Sequence, residues 1–502
     1  MVRRIKSLFA NVQALETVLV TVLVVLLLSG CIGVTKRDDL PVAIPENFSE
    51  GGRVPYDRKW WLEFDDPQLQ TLVEQALGGN LSLLAASNRI AEARAIAAKA
   101  GGDLLPQAEA AGSVDSVRDH RRGSSADSFV LGIGASYEID LWGRLDATRN
   151  SLVLESEASE SDYYNAVADL SAQVATVWFR LSEALLQKDL LHRQQQTNSK
   201  LLELITTQYR FGRAQAADVL QQTQLVEGAN ADLASVRLDI KLLNHQLAAL
   251  VGTIPESELP APALLPELTA LPVTPLPADL LLKRPDVQSR RKKLQAADYR
   301  VAAAVADRLP RLSISADIST GGSRSSDLFS DWFTSLGANL LGPLIDGEKR
   351  AAEVTRTRAV ARQRYYELGQ TILNALVEVE DSLIREKELR NVIASQQIQL
   401  RLAKQTITQV TTRYRQGAEE YQRVLLALIS SQNLERQILT SHRQLLANRV
   451  ELYRALSGRI DGTWTAPHRQ PDRQSGAIPE SSPQLPTLLQ QKGCEYADTA
   501  TE

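Results

Sequence analysis

Residues 128–144 read SFVLGIGASYEIDLWGR, and their period decides the fold. Phe129, Leu131, Ile133, Ala135, Tyr137, Ile139 and Leu141 fall on one face. Ser128, Gly132, Gly134, Ser136, Glu138 and Asp140 fall on the other. A period of two with one apolar face predicts a β-strand. The pattern returns later in the chain. Leu312, Ile314, Ala316 and Ile318 alternate with Ser313, Ser315, Asp317 and Ser319. Trp332, Thr334, Leu336, Ala338 and Leu340 alternate with Ser335, Gly337 and Asn339. Gly-, Ser- and charge-rich loops, 120–127 and 320–331, separate paired strands.

Each strand has about ten residues, the length that crosses the hydrocarbon layer when tilted. A half-buried strand pair in a soluble domain would alternate in the same way. The apolar face carries aromatic residues near the strand ends (Phe129, Tyr137, Trp142, Trp332 and Phe333), which favours a membrane wall. Phe129, Leu131, Ile133, Tyr137, Trp332 and Leu336 are then its lipid-facing residues. The chain's four strands cannot close a barrel, since the smallest have about eight. Open edges are not tolerated in lipid. The barrel must therefore be shared, and three chains would supply about twelve strands.

Outward from the strands the chain is helical and duplicated. The two halves align at an offset of about 204 residues, which brings repeats of this size into view. Asn80-Leu81 corresponds to Arg284-Pro285, and Leu105-Pro106 to Leu309-Pro310. Trp142-Gly143-Arg144 corresponds to Asp346-Gly347-Glu348. The tetrads starting at Tyr209 and Tyr414 correspond, as do Val219-Leu220 and Val424-Leu425. Each half reads as helix, two strands, very long helix, break, long helix. The first helices span about 66–100 and 277–307, and each ends at a Leu-Pro pair, where Pro disfavours helix before it. The long helices span about 145–209 and 348–414, roughly 95 Å each. Leu170, Val174, Val177, Leu181 and Leu185, then Ile372, Leu376, Val379 and Leu383, recur at heptad-like spacing, which predicts coiled-coil packing. The breaks at Tyr209 to Gly212 and Tyr414 to Gly417 are tight turns with Gly in the left-handed conformation. The returning helices run to about 250 and 456.

The N-terminus reads as an export signal. Arg3, Arg4 and Lys6 precede an apolar run of about eleven residues, Val18 to Leu28. That is too short to span a bilayer and suits a signal sequence. The run ends Leu28-Ser29-Gly30-Cys31, a lipobox-like ending with cleavage between Gly30 and Cys31. Cys31 is the expected lipidation site, carrying diacylglycerol and an N-acyl chain. Acyl chains anchor by about 0.8 kcal/mol per buried methylene. Ile32 follows where Asp would favour inner-membrane retention, so the outer membrane is expected. The organisation is a signal peptide (1–30), an acylated extension (31–65) and a first repeat (66–252). A Pro-rich linker (253–276), a second repeat (277–458) and a poorly ordered tail (459–502) follow.

Composition narrows the classes. The chain has 502 residues, 44% hydrophobic and 23% charged, with net charge −4. No basic block points to nucleic acid. The one Met is the initiator, which argues against a Met-lined copper path. His120, His192, His245, His442 and His468 are scattered, without spacing for a metal or a triad. Gly132 and Gly134 sit inside a strand, so they form no phosphate loop. No enzyme, metal or cofactor is expected besides the covalent lipid. Cys494, in a polar tail, is expected to have no role.

These residues resemble the TolC-like outer membrane efflux proteins, and among them the lipidated NodT-type channels of drug efflux systems. The matching pieces are Cys31, Trp60-Trp61, Phe64, Asp66-Pro67, Asn80-Leu81, Leu105-Pro106, 137–144, Arg284-Pro285-Asp286-Val287 and the two Tyr-x-x-Gly turns. The resemblance implies an α+β protomer, long helices in a periplasmic α-barrel and four strands in a trimeric twelve-stranded outer-membrane barrel. It implies a homotrimer, a periplasmic adaptor, an inner-membrane pump, and passive outward conduction of drugs or small solutes. It also places a closed aperture at the second-half helix tip, where several members carry Asp nine residues after the turn Gly. Here that position is Leu426. Three Leu426 copies would form an apolar plug able to gate by dewetting; packing within the coiled coil is the other reading. Glu419, Glu420, Tyr421 and Arg423 are further aperture candidates. Glu419, Glu420 and Arg423 hold the tips, bind the adaptor or are simply solvated; Arg213 and Asp218 on the first tip are open to the same readings. The competing class is a non-channel coiled-coil lipoprotein of the periplasm or outer membrane, which the paired alternating strands oppose.

Overall fold

The computed structural model describes residues 40–51, 59–119, 124–255, 260–262 and 264–458. The signal run, Gly30, Cys31, His120, His468, Cys494 and the tail lie outside the described residues.

A 3₁₀ turn, Trp60–Phe64, leads into α1 (Pro67–Gly79) and α2 (Leu81–Gly102). Strands β1 (Gln107–Asp119) and β2 (Ser124–Ile139) follow, then the long α3 (Arg144–Arg210) and α4 (Ala216–Val251). The second half repeats the order with α5 (Pro277–Lys283), α6 (Pro285–Ala306), β3 (Arg311–Gly322), β4 (Trp332–Leu341), α7 (Lys349–Arg415) and α8 (Tyr421–Leu456). The long helices have 67 residues each, roughly 100 Å.

Three expectations are corrected. The first helix of each half is two helices. Asn80 has an extended backbone and its side chain accepts from the Leu83 amide, capping α2. In the second half Arg284 is extended before Pro285, which starts α6. The strands outrun ten residues in three cases, reaching 13, 16 and 12. β2 therefore starts inside the expected 120–127 loop. Finally, Gly143 heads α3 at φ 72°, and its counterpart heading α7 is Glu348 at φ 66°, so that alignment slips by one residue.

The strands form one antiparallel sheet in the order β1-β2-β3-β4. At the level where the helices leave it, the Arg144 guanidinium bonds Glu138 at 2.7 Å and Trp142 Nε1 donates to the Pro310 carbonyl at 2.7 Å. The helices pack by their apolar stripes: Leu170, Val174, Val177 and Leu181 are buried, as are Ile372, Leu376, Val379 and Leu383.

Mid-length along the helices sits an aromatic and ionic belt. Trp60 stacks on Tyr453 at 6.0 Å, and Phe64 meets Phe179 edge-on at 4.9 Å. Asp66 caps α1 through the Gln68 and Leu69 amides and also accepts from Trp178 Nε1 at 2.7 Å. Arg284, 4% exposed, binds Asp286, Glu378 and the Ala455 carbonyl. Arg449 and Glu386, both 0% exposed, pair across α8 and α7, and Arg449 also holds the Thr269 and Ala270 carbonyls of the linker. An N-terminal arm, 40–51, lies along α7. Pro41 occupies the space beside Gly369, and Ser49 bonds Glu380.

Candidate functional site

The candidate site has two parts, the sheet face and the helix tips. In the sheet, register sorts the side chains. Phe129 stands opposite Val114 on one side and Gly322 on the other. Ile133 stands between Ala110 and Ile318, and Ala316 between Ala135 and Leu336. Directly opposed residues share a face, so Phe129, Leu131, Ile133, Tyr137, Leu336 and Trp332 all lie on one side. Ile133 is 57% exposed, Trp332 57%, even with Phe329 beside it, and Leu336 81% among the described residues. The opposite face holds Ser128, Gly132, Gly134, Ser313, Asp317 and Gly337 with Glu109 and Asp115, and also the apolar Val117, Val130 and Leu341. Phe333 stands opposite Ser319 and belongs to this second face, which corrects its place among the apolar-face aromatics. The first face suits acyl chains, and the second is the more polar of the two.

At the tips, the two breaks are built alike. Gly212 and Gly417 take φ 70° and 72°. The Arg213 and Ala418 amides donate back to the Gln208 and Arg413 carbonyls at 2.8 and 2.9 Å, closing each helix end. Tyr209 and Arg213 are exposed. Asp218 accepts from the Gln215 amide at 2.9 Å and so caps α4. Glu419 is bracketed by Arg413 at 3.7 Å and Arg423 at 3.3 Å. Glu420 begins α8 and is exposed. Leu425 is buried and Leu426 is 59% exposed, so Leu426 projects away from its own coiled coil.

Tyr421 does not line open space: it is 5% exposed. Its hydroxyl donates to Gln222 Oε1 at 2.7 Å, and the Tyr414 hydroxyl donates to Gln208 Oε1. Both bonds join the second-half coil to the first-half coil. Burial pushes both phenols above the usual tyrosine range, with Asp218 adding to it, so both remain donors. Behind them runs a polar ladder that sequence reasoning missed. Gln222 Nε2 donates to the Asn198 carbonyl at 2.8 Å, and Gln432 Nε2 donates to Asn198 Oδ1 at 2.9 Å. Gln194 Nε2 donates to Gln432 O at 3.2 Å and to Glu435 at 3.1 Å. The signal was available: Gln194 and Asn198 continue the buried stripe of Leu191, where polar residues fix register.

A family model described as outer membrane efflux protein matches residues 72–253 and 276–458. The chain belongs to the outer membrane efflux protein family. The channel subunit is similar to OpmQ of Pseudomonas aeruginosa, a pyoverdine export outer membrane protein. Identity is 33% over 435 residues, covering 80% of the subunit and 87% of OpmQ. It is similar to CusC of Escherichia coli K12, a cation efflux system protein, at 27% identity over 454 residues, covering 87% of the subunit and 98% of CusC. Its fold matches the outer-membrane channel OprN with TM-score 0.79 and 25% identity, covering 86% of the subunit and all of OprN, 100%. The subunit is therefore an outer-membrane efflux channel protein with the TolC-like α+β fold. Among its described residues no group of three or more His, Cys, Asp or Glu could hold a metal.

Proposed function

We propose that three copies close a twelve-stranded barrel in the outer membrane and continue it as a helical tube in the periplasm. The tube docks on a periplasmic adaptor and an inner-membrane pump, and drugs or other small solutes pass outward through it. The duct spends no energy of its own; the pump supplies drive and most selectivity. The observation that carries this reading is the sheet. Its four strands put every long apolar side chain of the sequence-predicted lipid set on one face, and both sheet edges are open. A lone protomer cannot lie in lipid in that form.

Lipidation at Cys31 fits the same picture, because the arm at 40–51 runs along α7 below the strands. The turn charges Glu419 and Arg423, and exposed Glu420 and Leu426, form the periplasmic end. The test is direct. Purified protein should migrate as a heat-modifiable trimer and give conductance steps in planar bilayers. A stable monomer without conductance would sink the channel reading and favour a structural lipoprotein.

A further inference from the structure

Helix α8 packs against α7 and α3, and one stripe of it stays in the open. Leu426, Ser430, Asn433, Gln437, Thr440 and Gln444 follow at steps of four and three, the spacing of a heptad seam. A seam that awaits another helix is apolar; past Leu426 this one is all amide and hydroxyl. A helix face turned to bulk water usually mixes charges; this stripe has none from Ser430 to Gln444, about 21 Å. The duplication shows that the neutrality is local. A shift of 205 carries Ala216–Val251 onto Tyr421–Leu456. Asp232 and Asp239 of α4 then stand where α8 has Gln437 and Gln444.

The arm and the linker show which side of the wall the stripe takes. With Cys31 anchored in lipid, the arm has to run outside the tube. It lies on α7, where Lys387 binds Glu50 at 2.6 Å. The linker meets the arm through Thr274 and Glu50. Arg390 of α7 and Arg449 of α8 both hold its Thr269 carbonyl at 3.2 Å. Lys387, Arg390 and Arg449 therefore mark the outer side. At 3.5 residues per turn the stripe residues lie within roughly 30° of the point opposite Arg449, and opposite the outer side of a tube wall is its lumen. Beside the stripe, between α8 and α7, runs a groove of about 370 Å³ whose lining includes Gln396, Asn433, Gln437 and Gln444. Its one cation, Arg436, is turned to Asp232 at 2.8 Å. Gln396 Oε1, buried at its edge, has no hydrogen-bond partner among the described residues.

We infer that this stripe and groove are the solute-contacting wall of the second-half coil, and that they take polar solutes rich in carbonyl, hydroxyl and amide groups without choosing a sign of charge. The inference rests on the shared-tube reading. Amides and hydroxyls both donate and accept, so a passing solute exchanges water's hydrogen bonds for those of the wall. Thr440, whose hydroxyl donates to Glu183 at 2.6 Å, serves as an acceptor. Conduction needs such contacts to be weak and repeated, and the heptad spacing repeats them. Fixed charges on the same face would focus a field along the lumen and favour one sign. Asp at the two glutamine positions, as in α4, would make the wall favour cations.

The test is charge labelling of the lipidated full chain in planar bilayers, in a Cys494→Ser background. The stripe variants are Gln437→Cys and Gln444→Cys. The outer control is Gln397→Cys, an exposed position one heptad after Arg390. Each is labelled with methanethiosulfonates bearing either a sulfonate or a trimethylammonium group. On the stripe the anionic label should raise the cation-to-anion permeability ratio and the cationic label should lower it, leaving the two roughly two-fold or more apart. Gln397→Cys should label to the same extent and leave the ratio unchanged. Conducting channels in which neither stripe thiol labels, or in which both label without a shift, overturn the lumen assignment and make the stripe an outer docking face. A shift at Gln397→Cys as large as on the stripe overturns it too. A shift with one label only shows that the wall already favours a sign, and overturns its neutrality. A Cys494→Ser parent without conductance overturns the shared tube itself.

Discussion

A single position separates Leu425 from Leu426 at the second tip, and it assigns them different work. Leu425 joins Ile205, Tyr421 and Val424 in the tip core, while Leu426 projects from it. An exposed apolar residue at a narrowing excludes water only if its copies meet it. Leu426→Ser should therefore raise uptake of large antibiotics by cells carrying the protein at wild-type level. Unchanged uptake would mean that Leu426 closes nothing. Tyr421→Phe tests the neighbouring bond. It strands the buried Gln222 carbonyl oxygen, a loss of about 1–3 kcal/mol, and removes one of the bonds that join the second-half coil to the first. Conductance in planar bilayers should rise, and a wild-type conductance would remove Tyr421 from the closed state's restraints.

At the scale of elements, apolar periodicity located strands and long helices well because each buries a regular stripe. It could not see Asn80, since a helix cap is a backbone event with no periodic signature. It could not see Glu348, where a non-glycine residue takes a left-handed φ of 66° that Gly143 takes in the first half. Nor did it find Gln222, Asn198 and Gln432, because a stripe followed by its apolar members alone stops at Leu191, although Gln194 and Asn198 continue its spacing. The tip turns were legible because Gly at a helix end has a local cause. The clamp between α7 and α8 was not, because Glu386 and Arg449 are far apart in sequence and find each other only in the fold. That pair sits at 0% exposure for both residues, so its worth depends on completeness. Arg449→Ala should lower stability by about 3 kcal/mol, the low end for a broken buried pair, because the Glu386 carboxylate keeps only the exposed Arg390 at 3.0 Å. Replacing both at once, Arg449→Met with Glu386→Leu, should recover much of the loss in chemical unfolding. A double variant as unstable as the single one would show that the Thr269 and Ala270 carbonyls, not the carboxylate, are what Arg449 serves.

At the scale of the molecule, the arm and the expected anchor set a length problem. Pro41 rests beside Gly369, 20 residues below the start of α7 at Lys349. That is about 30 Å along the helix. The ten residues from Cys31 to Pro41 reach roughly 33–36 Å when fully extended. An acylated Cys31 can therefore enter the membrane while Pro41 stays seated, with little chain to spare. Removing residues 34–37 cuts the reach to roughly 20 Å. The lipid and the docked arm then compete, and the arm should leave α7, exposing the Ser49 region to protease. Adding Cys31→Ser to the deletion should restore protection, because the unlipidated arm is no longer pulled upward. Cys31→Ser alone should lose acylation and keep the arm docked. Protection unchanged by the deletion in the acylated protein would show that the membrane surface lies nearer to Gly369 than the helix length implies, and that the arm is a slack leash.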